Sequence, residues 1–156
     1  QFSKLDSVNL KKLVEEVMDE IGHRLEDQGI SFEITISDDV FAKNVNYDLL
    51  FQLFYNLINN AIRYNKPQGS ISIDESKGSN YSVEIKDTGI GIPQEEIPLI
   101  FNRFKKANLA QTGGYGLGLS IVKSIANYHH LKLNVNSVVD DGTEFSVVFP
   151  KDGIEY

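Results

Sequence analysis

The run L-F-Q-L-F-Y-N-L-I-N-N-A-I-R-Y at residues 50–64 constrains this chain more than any other stretch. Wound as a helix at roughly 100° per residue, it gathers Gln52, Asn56, Asn59, Asn60 and Arg63 within an arc of about 100°. Leu50, Leu53, Phe54, Leu57, Ile58 and Ala61 take the opposite arc, and Phe51, Tyr55 and Ile62 keep the flanks apolar or aromatic. Such a helix has to lie against a core with one polar stripe showing, and that stripe is mostly neutral amide. The first helix of the chain carries Lys11, Lys12, Glu15, Glu16 and Glu20 on its outer face instead, as a solvated surface does. An amide stripe therefore suggests a ligand, the alternative being an amide ladder satisfied by neighbouring backbone.

The flanking sequence supplies the layers around that helix. A short strand over 3–8 leads to Asn9, placed to cap a helix running to about residue 28, with Leu10, Leu13, Val14, Val17, Met18, Ile21 and Leu25 on its core face. Gly29 ends it, and 30–37 alternates Phe32, Ile34 and Ile36 inward with Glu33 and Thr35 outward as a half-buried strand. A short strand at 40–43 precedes Asn46, which caps the amide helix, and Asn65-Lys66-Pro67 terminates that helix. Strands at 70–76 and 81–86 form a hairpin. Pro93 opens a short helix toward Phe101, and 105–115, with little hydrophobic periodicity, is the best candidate for a mobile loop. A further helix runs to about His129, and His129-His130 sit where positive charge at a helix end is mildly favourable. Strands at 131–138 and 143–149 close the chain around the turn Val139-Asp140-Asp141-Gly142. This order predicts an α+β fold, a two-layer α/β sandwich whose mixed, mostly antiparallel sheet carries three main helices on one face.

Composition narrows the function classes. With 156 residues, 41% of them hydrophobic, the chain fits one domain spanning 1–156. A formal charge of -7 argues against nucleic acid and against an anionic membrane surface, both of which need concentrated basic charge. The absence of cysteine excludes disulfides and thiolate metal sites and is compatible with a cytosolic location. No apolar run approaches the ~20 residues that span a bilayer, and no signal-peptide pattern begins the chain. The chain opens on Gln1 rather than Met, which suggests a segment of something longer.

Two glycine clusters join the amide helix: Asp87-x-Gly89-x-Gly91, and Gly114-x-Gly116-x-Gly118. Either alone could be a turn. Together they offer backbone that can close on a flat base or a polyphosphate where a carboxylate and amides are also available. There is no G-x-x-x-x-G-K-[ST], which excludes a P-loop. The later cluster reads G-x-G-x-G without an opening βαβ unit, which argues against a dinucleotide fold.

Five motifs in order then resemble a known family. N-L-I-N-N-A-I-R-Y (56–64), D-T-G-I-G-I (87–92), F-N-R-F (101–104), G-Y-G-L-G-L (114–119) and D-G-T-E-F (141–145) look like the N, G1, F, G2 and G3 boxes of the catalytic ATP-binding domain of sensor histidine kinases. The resemblance covers nearly the whole chain and implies the Bergerat ATP-binding fold, shared with gyrase B-type, heat-shock-chaperone and mismatch-repair ATPases. The cofactors implied are ATP and Mg²⁺. By this resemblance Asn56 and Asn60 serve the metal and the phosphates, Asn56 as metal ligand, since amide oxygen suits Mg²⁺. Arg63 is directed at the phosphates and Tyr64 packs against adenine. Asp87 accepts a hydrogen bond from the adenine 6-amino group, where guanine would present an acceptor; Gly89, Gly91, Ile92 and Thr143 complete that end. Gly114, Tyr115, Gly116, Leu117, Gly118 and Leu119 bring backbone amides and a helix N-terminus to the phosphates. Between Phe104 and Gly114 lies the implied ATP lid, from which Lys105 or Lys106, and less directly Arg103, would meet the γ-phosphate.

Gln52 adds a point about the reaction. Hydrolysing relatives of this fold carry Glu one helical turn before the first Asn, where it activates water; an amide cannot take that proton effectively. Gln52 therefore favours transfer to another acceptor over hydrolysis. The implied acceptor is a histidine on an upstream dimerisation domain, the parent being a homodimer through that domain and signalling to a cognate response regulator. His23, His129 and His130 lack the expected acceptor context. A cytoplasmic domain of a parent that is a candidate for membrane anchoring is the corresponding location. Two rivals are a protein-serine kinase of the anti-sigma-factor type and a degenerate interaction module; the retained Asn56, Asn60, Asp87 and glycines argue against the second.

Overall fold

In the structure, a computed structural model, residues 2–102 and 118–156 are described. Lys106, Gly114, Tyr115, Gly116 and Leu117, with Arg103 and Lys105, lie outside the described residues. The expected α+β sandwich is present, with its strands divided between two sheets. Five strands run in the order β2 (Ser31–Thr35), β4 (Ser70–Lys77), β5 (Tyr81–Asp87), β7 (Gly142–Val148), β6 (Lys132–Val138). The smaller sheet has three, β1 (Asp6–Asn9), β3 (Phe41–Val45) and the two-residue β8 (Ile154–Glu155), with β3 in the middle. Among the described residues β2 and β4 pair in parallel, Ile34 opposite Ile73, and the other pairings are antiparallel.

The α-helices among the described residues are α1 (Leu10–Ile21), α2 (His23–Gln28), α3 (Tyr47–Arg63) and α4 (Leu119–Tyr128). The single helix expected over 10–28 is interrupted at Gly22, where Leu25 N–H donates to Gly22 C=O, a three-residue turn. A Cβ at Gly22 would stand 2.5 Å from the Met18 carbonyl, so the break takes glycine. Asn9 and Asn46 cap as expected, their side-chain oxygens accepting from Lys12 N (2.9 Å) and Leu49 N (3.0 Å). The helix expected from Pro93 toward Phe101 is a string of turns ending in a 3₁₀ turn at Ile97–Leu99. Pro98 has no N–H to extend it.

α3 is the spine of the core. Leu50, Leu53, Phe54, Leu57, Ile58 and Ile62 are fully covered, and truncating any one of these leucines to Ala is worth about 2–5 kcal/mol. Ile71, Ile73, Val83, Ile85, Phe145 and Val147 answer from the sheet, and Leu119, Val122, Ile125 and Ala126 from α4. One inward assignment fails: Phe32 is 48% exposed. It stands on β2, an edge strand among the described residues, while Ile30 before it and Ile36 after it are buried and Ile34 is half-buried against the core.

Candidate functional site

The site is assembled where α3 ends, β5 ends, β7 begins and α4 starts. α3 stops at Arg63, and Asn65 ties its end to the loop after β5: Thr88 Oγ1 donates to Asn65 Oδ1 (2.9 Å) and accepts from Ser70 N (2.9 Å). Ile90 N–H donates to Tyr64 C=O at 3.0 Å. The loop therefore lies flat on the helix terminus, and a Cβ on Gly89 would come within 2.1 Å of the Tyr64 carbonyl oxygen. Gly91, at φ +75°, packs as closely on the other side, with an added Cβ 2.2 Å from Val138 O.

Asp87 is the last residue of β5 and is 3% exposed. Its Oδ1 accepts two backbone amides, Gly89 N at 2.8 Å and Thr143 N at 3.2 Å. Among the described residues Oδ2 has no hydrogen-bond partner. Burial pushes the carboxyl up to about 6, against the opposing pull of the two amide donors. A buried carboxylate with one oxygen open and, among the described residues, no cation paired to it is costly unless a ligand donates to it. Thr143 is also buried, and Gly142, at φ +122°, lets the β6–β7 turn press on Asp87, since a Cβ there would meet the Asp87 carbonyl at 2.0 Å. Ile92 is buried and its N–H donates to Ser137 Oγ at 2.8 Å. These groups form one face: flat backbone, two buried oxygens and Ile92.

The amide stripe of α3 divides among three environments. Asn59 Oδ1 accepts from Arg24 Nη1 of α2, so this amide is engaged by its own fold. Asn60 is 3% exposed and its Nδ2 has no hydrogen-bond partner among the described residues. Asn56 is half-buried beneath Gly118, whose φ is +79° and whose added Cβ would sit 3.1 Å from the Asn56 side chain. The last glycine of the second cluster and the buried Leu119 at the start of α4 thus lie on the N-terminal side of the amide pair. Gln52, one turn earlier, is exposed. Arg63 is exposed with its guanidinium 5.6 Å from the ring centre of Tyr64, and Tyr64 itself is buried in the core cluster.

A carboxylate acceptor, an unpaired buried amide donor, close-packed glycine backbone and a helix N-terminus can together hold a flat group bearing an N–H donor at one end and anionic groups at the other. The structure brings Asp87, Gly89, Gly91, Ile92 and Thr143 together at the first end, and Asn56, Asn60, Gly118 and Leu119 at the second. Sequence reasoning overlooked Ser137, which ties Ile92, Gly142 and Thr143 together. Its signal was available: it falls on the same side of β6 as Leu133 and Val135, a hydroxyl where alternation calls for an apolar residue. His129 needs correction. It is 5% exposed, burial holds its pKa down, and its Nε2 accepts from Asn46 N at 3.1 Å while Nδ1 meets Ile125 O at 2.8 Å. It is a neutral tie between α4 and the cap of α3, not a charged helix end.

Comparison with known proteins places the fold in a family. Residues 45–153 match the family described as histidine kinase-, DNA gyrase B-, and HSP90-like ATPase. The sensor histidine kinase YclK of Bacillus subtilis is 34% identical over 154 residues, covering 96% of this chain and 32% of that protein. Drug sensory protein A of Synechocystis is 36% identical over 155 residues, 91% of this chain and 23% of that protein. The chain thus spans about a third or less of these relatives. Among solved structures, the mycobacterial sensor histidine kinase MprB superposes with a TM-score of 0.80 at 25% identity, covering 94% of this chain and 97% of that one. The catalytic domain of histidine kinase ThkA does so at 0.79 and 27%, with coverage of 94% and 97%. The chain belongs to the family of histidine kinase-, DNA gyrase B- and HSP90-like ATPases, in which it stands with the sensor histidine kinases of two-component systems.

Proposed function

We propose that the chain, over 1–156, is the catalytic ATP-binding domain of a sensor kinase, and that it presents Mg²⁺-ATP for transfer of the γ-phosphate to a histidine on a dimerisation domain outside this sequence. The observation that carries the reading is the buried Asp87 carboxylate, held by two amides on one oxygen and, among the described residues, open on the other. Its free oxygen accepts the adenine 6-amino group, and the backbone around Gly89 and Gly142 closes on the ring. Asn60 Nδ2, unpaired among the described residues, donates to a phosphate oxygen. Among the described residues no cluster of three His, Cys, Asp or Glu side chains stands ready for a metal. The Asn56 amide oxygen is then the protein ligand for Mg²⁺, a cation that prefers oxygen and keeps several waters. When bound, Mg²⁺ neutralises phosphate charge.

The protein's part is positioning and electrostatics. Arg63 adds positive charge at the phosphate end, and Gly118 with the α4 N-terminus adds backbone dipole. Lys106, outside the described residues, retains its proposed contact with the γ-phosphate. Gln52 offers no general base, so water is not activated and the phosphoryl group passes to the acceptor. Homodimerisation through the acceptor domain and a response regulator as the next recipient follow from the same reading, as does a cytoplasmic placement for this domain. No helix among the described residues is long and apolar enough to cross a membrane.

Calorimetric titration with non-hydrolysable ATP and GTP analogues, with and without Mg²⁺, tests the site. Tight Mg²⁺-dependent binding of the ATP analogue alone is expected; equal affinities for both bases would count against Asp87 as base reader. Steady-state phosphate release by the isolated chain should be slow, and rapid turnover would sink the argument from Gln52.

A further inference from the structure

Ser137 lies at the end of β6, 6% exposed, and its hydroxyl makes three contacts within hydrogen-bond range. Ile92 N–H donates to Oγ at 2.8 Å, Oγ donates to the Gly142 carbonyl at 3.0 Å, and Oγ stands 2.8 Å from Thr143 Oγ1. A serine hydroxyl has one proton and two lone pairs. The Gly142 carbonyl can only accept, so it takes the serine proton, and the contact with Thr143 must then be made with the threonine proton. Thr143 has no other side-chain hydrogen bond among the described residues, while its backbone N–H is held by Asp87 Oδ1 at 3.2 Å.

We infer that Ser137 is a specificity-determining positioning residue: by giving its proton to Gly142 it draws the Thr143 proton onto itself, so that Thr143 Oγ1, like Asp87, offers only lone pairs to a bound base. This rests on the reading of the site as an adenine pocket and deepens it. Two acceptors aimed at ring position 6 favour an exocyclic amine, which has two protons to give, and oppose a ring that offers none there, directly or through a bridging water. Without Ser137, Thr143 is free to rotate and donate, and half of the discrimination goes with it. The same hydroxyl also anchors Ile92 against the β6–β7 turn, an anchor reinforced by Gln94 Nε2 donating to Ser137 C=O at 2.7 Å.

The test is calorimetric titration of the 156-residue chain with non-hydrolysable analogues of ATP and of purine riboside triphosphate, which lacks the 6-amine and keeps the adenine lone pair at N1. Ser137→Ala is expected to reduce the preference for ATP over the analogue without the 6-amine about five- to tenfold, the scale of one repositioned hydrogen bond. Loosening of the fold alone would weaken both nucleotides alike and leave the ratio where it was, which would overturn the inference. Should Ser137→Ala fail to fold, Thr143→Val, nearly isosteric, carries the same expectation, because it deletes the fixed acceptor; an unchanged ratio there is equally fatal. A wild-type chain that binds neither nucleotide overturns the adenine-pocket reading and this inference together. A wild type that prefers ATP beside a variant of equal preference overturns the inference only.

Discussion

Replacing Asp87 by Asn should make the domain more stable and nearly useless for binding adenine. Burial raises this carboxyl from its ordinary 3.8 to about 6, so ionising it in the folded state costs about 3 kcal/mol at neutral pH. Between those two values the folded chain holds a proton that the unfolded chain has lost. Its contribution to stability is therefore greatest below about pH 4. It falls by about 1.4 kcal/mol per pH unit through the interval and is flat above about pH 6. Asn does not titrate, and its Oδ1 can still accept from Gly89 N and Thr143 N. Urea unfolding of both proteins should thus show the variant gaining about 2 kcal/mol on wild type between pH 4.5 and pH 7.5; titrations common to both cancel in that difference. At pH 7.5 the Asn amide presents a donor to the adenine amine, also a donor, and affinity for an ATP analogue should fall at least about a hundredfold. Gln52→Ala should change it little. In wild type, affinity should decline as pH drops through about 6, because the protonated carboxyl no longer accepts freely. A stability difference that is the same at both pH values would refute the reasoning, whatever happens to binding.

Other expectations follow from single contacts. Asn60→Ala should alter stability by under about 1 kcal/mol, since removing an unpaired buried donor offsets lost packing, while Mg²⁺-dependent nucleotide binding drops at least tenfold on titration. Gly89→Ala should cost more than about 2 kcal/mol in chemical denaturation and abolish nucleotide binding, because its Cβ meets the Tyr64 carbonyl. His129→Phe strands the Asn46 N–H and should cost about 2 kcal/mol at pH 8. The folded-state pKa of His129 is held below its ordinary 6.5. The stability it contributes is therefore present above 6.5 and lost as pH falls below it, so the gap between wild type and His129→Phe should narrow by pH 5.

The parts of the fold that local chemistry decides were legible in advance. Asn46 and Pro67 bracket α3 because a side-chain cap and a missing N–H act within a turn of where they stand. Asp87, Gly89 and Gly142 could be singled out by residue type, since few positions tolerate so close a backbone approach. The parallel pairing of β2 with β4 could not be read, because it is decided by where α3 carries the chain. Nor could β8, whose two residues hold no pattern and pair only because β3 lies there. Phe32 misled for the same reason: alternation reports two faces without saying which strand has a neighbour to cover them. Residue type alone hid the division of labour on α3, because Asn56, Asn59 and Asn60 are chemically identical, and it was the resemblance that set Asn56 and Asn60 apart. In the structure the arrival of Arg24 at Asn59 and of Gly118 at Asn56 separates them physically.

The residues ahead of β1 are tied by side-chain bonds rather than by a ladder. Asn46 Nδ2 donates to Ser3 C=O at 2.8 Å, Lys4 Nζ donates to Tyr128 C=O at 3.0 Å, and Tyr128 Oη donates to Phe2 C=O. Asn46 caps α3 and Tyr128 ends α4, the two helices that meet where Gly118 packs on Asn56. Mechanically, this makes the entering segment a lever with two short arms. A pull or twist on it loads the cap of one helix and the terminus of the other, next to the His129 crosspiece that links them, before it strains either sheet.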